Sequence, residues 1–273
     1  MVIESRCQGV LFREAMEKPW GGEILLVTHN GWYLRTEQGV FLLHDAKYGE
    51  IPIGVALPDI GNLPYDKQLE HERIFFENGR IGVSADLNIL VYPSGERKKL
   101  SVNVVSASWI DTLRDILKTH GRGDLKYSVC DMKVSERGLF QETIAQRTKE
   151  FLSAVDMGTT DSISTAVKNM LGLGMGLTPG CDDFLVGYLY ASYRTGKLTV
   201  HRTVGDAVLR YADECTNEIS AAYLRAAAQC KYYELLESCL FEESMDNIVR
   251  LLSVGSSSGS DMLSGLLAAC ADF

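Results

Sequence analysis

The chain has 273 residues, a formal net charge of −9 and a pI near 5.1, and 46% of its residues are hydrophobic. This composition is typical of a globular protein with one large or two modest domains. The acidic balance argues against nonspecific binding to nucleic acid, which requires clustered lysine and arginine. No apolar run reaches the ~18–20 residues of a membrane span, and the first residues lack a signal-peptide pattern.

The chain contains seven cysteines, an odd number, and none are spaced as Cys-x-x-Cys. This pattern argues against a disulfide framework and against a structural zinc site. We therefore expect a cytoplasmic protein.

The first part of the chain predicts short strands. The hairpin candidate at residues 73–83 has Asn78-Gly79 at its turn, a pair that tolerates the positive φ angles of a type I′ turn. Short antiparallel strands at this spacing indicate a barrel or sandwich, which we assign to a β-rich domain at residues 1–108. The other predicted strands cover residues 24–28, 32–35, 40–43, 87–92 and 100–105.

Beyond Ser106 the hydrophobic period lengthens to about 3.6, which predicts helices. No proline follows Pro179, as suits a helical bundle, and we assign a helical domain to residues 109–273. The fold class is therefore predicted to be α+β. The predicted helices cover residues 111–120, 141–155, 161–171, 184–193, 204–215, 220–237, 245–252 and 262–271.

A glycine-rich loop, LGLGMGLTPGCDD at residues 171–183, precedes an apolar run. Alternating glycines permit unusual backbone angles and leave N–H groups uncovered. Asp182 or Asp183 can cap the following helix, and a helix start suits a phosphate or carboxylate. The loop is neither a Walker loop, since no Gly-Lys-Ser/Thr follows, nor a Rossmann loop, since a helix precedes it. The alternative is a purely structural turn and cap.

A second stretch, VGSSSGSDMLSGLLAA at residues 254–269, repeats the plan of glycine, hydroxylated residues, aspartate and helix. Each helix carries an internal glycine, Gly187 or Gly265, and glycine inside a helix is about 1 kcal/mol less favourable than alanine. Close packing of the two helices would explain both glycines. We infer a pseudo-twofold pair of loops whose helix N-termini face one pocket; the alternative is one capping device used twice.

A third segment places Thr216 and Ser220 one helical turn apart. Two hydroxyls on one stripe can bind a ligand or a neighbouring loop. Alternatively, Thr216 caps the helix and Ser220 packs against a facing backbone.

Together these segments resemble the AllH-like family, the small subunits of oxamate carbamoyltransferase and their uncharacterised relatives. The family's Gly-x-Gly-x-Gly-Leu-Thr-Pro-x-Gly-Asp-Asp loop, Thr-x-x-x-Ser helix and Gly-x-Thr-Ser-Gly-x-Asp loop correspond to residues 172–183, 216–220 and 255–261. The resemblance spans mainly residues 161–273. Cys181 stands where the family has glycine, Ser257 replaces threonine, and Cys230 replaces a glycine after the Thr-x-x-x-Ser helix. If the first of these glycines needs a positive φ, Cys181 would strain the loop.

The resemblance implies carbamoyl transfer between carbamoyl phosphate and oxamate in allantoin breakdown, beside an acyl-CoA-synthetase-like subunit and another large partner. We expect Asp182, Asp183 and Asp261 to cap helices, orient loops or hold Mg²⁺. No other cofactor is expected. The residues predicted to surround the small anionic substrate are Gly174, Gly176, Leu177, Thr178, Gly180, Thr216, Ser220, Ser257, Ser258 and Gly259.

No catalytic side chain is assigned. Cys181 could be a nucleophile at a helix start, although an inert buried cysteine is the better interpretation. The scarcity of acid–base groups favours a second hypothesis, a noncatalytic subunit that binds a ligand or assembles a complex. A third is a structural protein whose glycines serve only helix packing. The histidines, interpreted as structural, are His29, His44, His71, His120 and His201.

Overall fold

The computed structural model describes residues 2–83, 87–91, 105–130, 132 and 138–270. By contacts the chain divides into two units, Met1–Lys99 and Leu100–Phe273. A curled nine-stranded half-barrel sheet is followed by a helical region, with 55% of residues helical and 17% in strands. The predicted α+β class is confirmed. The predicted boundary at residue 108 falls inside a helix that begins at Ala107.

The first unit is built on a single sheet. Within the described residues its strands are β1 (Val2–Glu4), β2 (Cys7–Gln8), β3 (Trp20–Thr28), β4 (Gly31–Thr36), β5 (Gly39–Asp45), β6 (Gly54–Leu57), β7 (Arg73–Glu77), β8 (Arg80–Gly82) and β9 (Asn88–Leu90), with helix α1 (Val10–Ala15) between β2 and β3.

The strand order is β1-β9-β8-β7-β3-β4-β5-β6-β2. Most neighbours are antiparallel, but β1–β9 and β5–β6 run parallel. The predicted hairpin is confirmed, because Asn78 and Gly79 adopt φ angles of 51° and 74° between β7 and β8. The predicted strand at residues 100–105 lies, except for residue 105, outside the described residues.

An aromatic cluster is buried between helix α1 and the sheet. Phe12 of α1 meets the edges of Trp20, Phe41 and Phe76, and Trp20 stacks on Phe76 with ring centroids 5.2 Å apart. Strand β7 alternates exposed and buried residues, as expected for a strand with one face on a core. The cluster explains why α1 packs on this sheet, although the sequence analysis did not predict the helix.

The second unit is helical. Its helices are α2 (Ala107–His120), α3 (Leu125–Val129), α4 (Leu139–Met157), α5 (Thr160–Met170), α6 (Gly180–Arg194), α7 (Leu198–Cys215), α8 (Glu218–Ala228), α9 (Glu234–Phe241), α10 (Met245–Leu252) and α11 (Ser258–Ala269). Nearly every residue of α6 and α11 is buried, so these two helices form the centre of the unit. None of the described helices combines the length and apolar character needed to cross a membrane.

The prediction of one helix at residues 220–237 is wrong. Helix α8 ends at Ala228, Cys230 adopts a left-handed φ of 59°, and a new helix starts at Glu234. The amides of Cys230 and Lys231 donate to the carbonyls of Ala227 and Ala226 and so close the end of α8. A glycine at this position would have predicted the end of the helix from the sequence. Here a cysteine occupies the left-handed position instead.

Candidate functional site

The crossing of α6 and α11 is made by two glycines, as the sequence predicted. A Cβ added to Gly187 would lie 1.9 Å from the carbonyl oxygen of Met262, and one added to Gly265 would lie 1.9 Å from that of Phe184. Each glycine thus faces the residue three positions before the other. This reciprocity is what a local pseudo-twofold axis produces, and it brings the starts of the two helices to the same place.

The two loops ahead of these helices meet. Thr178 Oγ1 lies 3.0 Å from Ser258 Oγ, although the residues are 80 positions apart in the chain. Thr178 Oγ1 also lies 2.9 Å from Asp183 Oδ2 in the first turn of α6. We call the joined loops, residues 172–180 and 255–261, the paired corner.

The first loop of the paired corner depends on glycines with positive φ angles. Gly172, Gly174 and Gly176 have φ angles of 75°, 140° and 102°. A Cβ on Gly174 would lie 2.2 Å from the amide nitrogen of Gly180, so the glycine lets the loop close onto the start of α6. Within the described residues, the amides of Gly174, Gly176 and Leu177 donate to no protein acceptor. These are the groups expected for an anion site.

The carboxylate of Asp182 connects this loop to the start of α8 by hydrogen bonds. Its Oδ1 accepts from the amide of Gly172 at 2.8 Å, and its Oδ2 accepts from Thr216 Oγ1 at 2.5 Å and from Ser220 Oγ at 2.7 Å. Burial raises the pKa of Asp182, and the three hydrogen bonds oppose that shift. Both predicted hydroxyls therefore donate to Asp182 in the first turn of α6.

The predicted caps are wrong. Helix α6 starts at Gly180, ahead of both aspartates, and has no side-chain cap; α8 is capped by Asn217, whose Oδ1 accepts from the amide of Ser220, and Thr216 is not the cap. The cap prediction failed because the helix begins earlier than the apolar run suggested. Asp182 and Asp183 consequently lie inside the first turn, pointing into the protein.

Asp183 and Asp261 occupy equivalent positions, each four residues before the internal glycine of its helix. Both are buried at 2% exposure. Burial raises the pKa of Asp183 well above its usual value, and the nearby carboxylate of Asp261 raises it further. Burial also raises the pKa of Asp261 to about 7, against a hydrogen bond from Ser257 and with a smaller contribution from Asp124.

A third loop, residues 121–124, joins the paired corner and was not assigned to the site from the sequence. The amide of Arg122 donates to Ser260 Oγ at 2.9 Å. A Cβ on Gly123 would lie 2.8 Å from Asp261 Oδ1 and 3.0 Å from the Cβ of Ser257. The loop has the sequence Gly-Arg-Gly-Asp. No local sequence pattern connects it to Ser260 and Asp261, which lie more than a hundred positions away.

One of the predicted ligand residues in the second loop, Gly259, is used within the protein. The amide of Gly259 donates to the carbonyl of Val254, and a Cβ there would lie 1.8 Å from the carbonyl oxygen of Leu251. Gly259 therefore serves the contact between α11 and the end of α10. Ser257 lies immediately before α11 and makes no side-chain cap.

The two cysteines that depart from the family pattern have clear positions. Cys181 lies in the first turn of α6 and has no positive φ. The loop strain considered for a cysteine at this position is therefore absent. It is fully buried, and burial raises the pKa of its thiol, which argues against a nucleophile. Cys230 does occupy a left-handed position, where glycine is the usual residue.

His201 and two surface grooves are built by residues outside the paired corner. Among the described residues, no cluster of three His, Cys, Asp or Glu side chains is suited to a metal ion. His201 is bound to the hydroxyl of Tyr232 at 2.9 Å, and burial lowers its pKa. A groove of about 560 Å³ runs along α4 and α5, and one of about 690 Å³ lies on the sheet; neither is lined by the paired corner.

The chain matches one family model over the segment that contains this geometry. The model describes oxamate carbamoyltransferase subunit AllH and matches residues 170–270. Over this segment the chain is similar to that family. The matched segment includes the whole paired corner, Thr216 and Ser220, whereas the loop at residues 121–124 lies outside it. No solved structure matches the chain.

Proposed function

We propose that this chain is a subunit of an oxamate carbamoyltransferase-like enzyme and that it binds carbamoyl phosphate or another small anion at the paired corner. The family description supports the role of a subunit. The observation that carries the proposal is the contact between Thr178 and Ser258, which joins two glycine-rich helix starts. In this proposal the protein acts in the cytoplasm, in allantoin degradation, with partner subunits that include an acyl-CoA-synthetase-like chain.

Carbamoyl transfer makes specific electrostatic demands. Attack on the carbamoyl carbon places negative charge on the carbonyl oxygen, and the departing phosphate or amide leaves with an electron pair. Fixed N–H groups stabilise both changes because they require no reorganisation during the reaction. The unused amides of Gly174, Gly176 and Leu177, together with the starts of α6 and α11, are suited to this role.

A second candidate is a noncatalytic subunit that binds a ligand or assembles a complex. The tip of the first loop favours it, because Met175 is 79% exposed and Leu177 is 38% exposed. The carboxylate of Asp182 is occupied by hydrogen bonds that hold the loop, and the thiol of Cys181 is fully buried. Neither side chain is therefore placed to act as a proton donor or a nucleophile. In this version, the paired corner presents the ligand and a partner subunit supplies the reactive groups.

The test is to incubate the purified chain with carbamoyl phosphate and oxamate, measuring both turnover and the shift in melting temperature. Turnover supports the enzyme; stabilisation without turnover supports the noncatalytic subunit. No stabilisation by carbamoyl phosphate, oxamate or phosphate would contradict ligand binding at the paired corner.

A matched pair of variants locates the binding. Gly176 and Gly196 are both exposed, with φ angles of 102° and 80° and no heavy atom closer than 3.7 Å to an added Cβ. Valine at either position strains a turn without invading the core. Gly176→Val should abolish the ligand-induced shift with helical content nearly unchanged, whereas Gly196→Val should retain it. Equal affinity in the two variants would refute the loop assignment.

A further inference from the structure

The carboxylate of Asp261 has a buried acceptor atom with nothing to accept. Asp261 is 2% exposed, and its Oδ1 has no hydrogen-bond partner within the described part of the chain. The free-energy penalty of burying an unpaired carboxylate oxygen is larger than that of burying an unpaired neutral acceptor. Asp182 differs, because three donors satisfy it.

Two glycines lie directly against this carboxylate. A Cβ on Gly123 would lie 2.8 Å from Asp261 Oδ1, and a Cβ on Gly180 would lie 3.1 Å from Oδ2. Gly180 has no positive φ, so its backbone does not require glycine. Gly123 is exposed and has no side chain, which places the carboxylate oxygen directly beneath the surface.

The charge around Asp261 selects what can enter. Asp183 on α6 and Asp124 at the start of α3 are its acidic neighbours, and Ser257 is a hydroxyl donor. A purely anionic group would be repelled at this point, whereas an N–H donor would satisfy the free oxygen. A hydrogen bond from N–H to a carboxylate is charge-assisted and stronger than one between neutral groups.

The paired corner therefore has two unlike ends. Free amides of the loop at residues 174–177 suit a negative group, and the Asp261 carboxylate suits an N–H donor. Oxamate carries both in one small molecule, a carboxylate beside a primary amide, and a carbamoyl group carries the same –NH₂ next to a carbonyl.

We propose that the Asp261 carboxylate, held between Gly123 and Gly180, accepts an N–H of the substrate's primary amide and so selects amide substrates over methyl analogues. This inference rests on the proposed function. Asp261 is a specificity-determining residue in it, and no bond is made or broken at its side chain.

The experiment compares oxamate with pyruvate, in which a methyl group replaces the –NH₂, by calorimetric titration of the full chain. Wild type should bind oxamate at least about tenfold more tightly, the ratio expected of one charge-assisted hydrogen bond. Asp261→Asn should lose most of this preference. Gly180→Ala, which keeps the carboxylate but presses an added Cβ to 3.1 Å from its Oδ2, should lose it too. Asp246→Asn, an exposed aspartate on α10, is the control and should keep it.

The outcomes separate the two proposals. Equal affinity of wild type for oxamate and pyruvate would overturn the role of Asp261 and leave anion binding at the paired corner standing. Binding of neither compound would overturn both. Stabilisation by Mg²⁺ alone, seen in wild type and absent from Asp261→Asn, would show a cation site and overturn the amide assignment. A preserved preference in Asp261→Asn or Gly180→Ala would also overturn it.

Discussion

Replacing Gly187 with alanine tests the helix crossing on which the paired corner depends. The added Cβ would lie 1.9 Å from the carbonyl oxygen of Met262, and ordinary contact begins at 3.4 Å. The helices must therefore separate locally by about 1.5 Å, the difference between these distances. The obstacle is backbone, so no side chain can rotate away.

The magnitude follows from two opposing effects. Overpacking a well-packed core lowers stability by roughly 1–3 kcal/mol, and a clash with backbone belongs at the upper end. Alanine gains about 1 kcal/mol over glycine in helix propensity. We expect Gly187→Ala to lower the free energy of unfolding by about 2 kcal/mol, or the melting temperature by roughly 5 °C.

The same region supplies both a control and a coupling test. Gly205 is a buried glycine of α7 whose added Cβ would have its nearest contact with Ala228, at an ordinary 3.5 Å. Gly205→Ala should be neutral or stabilising. Gly265→Ala should resemble Gly187→Ala, and the double variant should lose less than the sum, since one separation of the helices relieves both clashes.

The assay is urea unfolding of all four variants, monitored by far-ultraviolet circular dichroism. The free energies of unfolding are compared with a common m-value, the slope of free energy against urea concentration. The reasoning would be refuted if Gly187→Ala were as stable as Gly205→Ala. Full additivity of the Gly187 and Gly265 substitutions would contradict a shared crossing point.

Two further predictions concern the buried aspartates. Asp182→Ala leaves one amide and two hydroxyls without their acceptor and should destabilise the protein by about 3 kcal/mol or more in urea unfolding, whereas the exposed Asp246→Ala should have little effect. The second prediction is a pH dependence of stability. The pKa of Asp261 is raised from 3.8 to about 7, so protonation of Asp261 favours the folded state. This stabilisation is fully present below pH 3.8 and is lost as the pH rises to about 7. Asp261→Asn should therefore lose less stability than wild type between those pH values, and parallel curves would contradict the burial argument.

The crossing of α6 and α11 could be predicted because its determinants are local. Two copies of a glycine-aspartate-helix pattern, each with a glycine at the same offset, specify a reciprocal contact before any coordinates are known. The hairpin at Asn78-Gly79 was predictable for the same reason, since the turn residues dictate the backbone angles.

The remaining features depend on tertiary contacts that no local pattern records. The end of α8 is marked by a cysteine in a left-handed conformation, and the partners of Asp182 come from a glycine loop and a separate helix. The loop at residues 121–124 reaches the site only through the fold, by way of Ser260 and Asp261. The aspartates were recognised as important, but their roles depended on where α6 begins.

The contact between α6 and α11 is backbone against backbone, with no side chain between the glycines and the opposite carbonyls. Such a joint has no rotamers to rearrange, so the spacing of the two loops is fixed before any guest molecule arrives. In the proposed function, selection at the paired corner is therefore a matter of rigid fit, since a molecule of the wrong length cannot be accommodated by sliding one helix along the other.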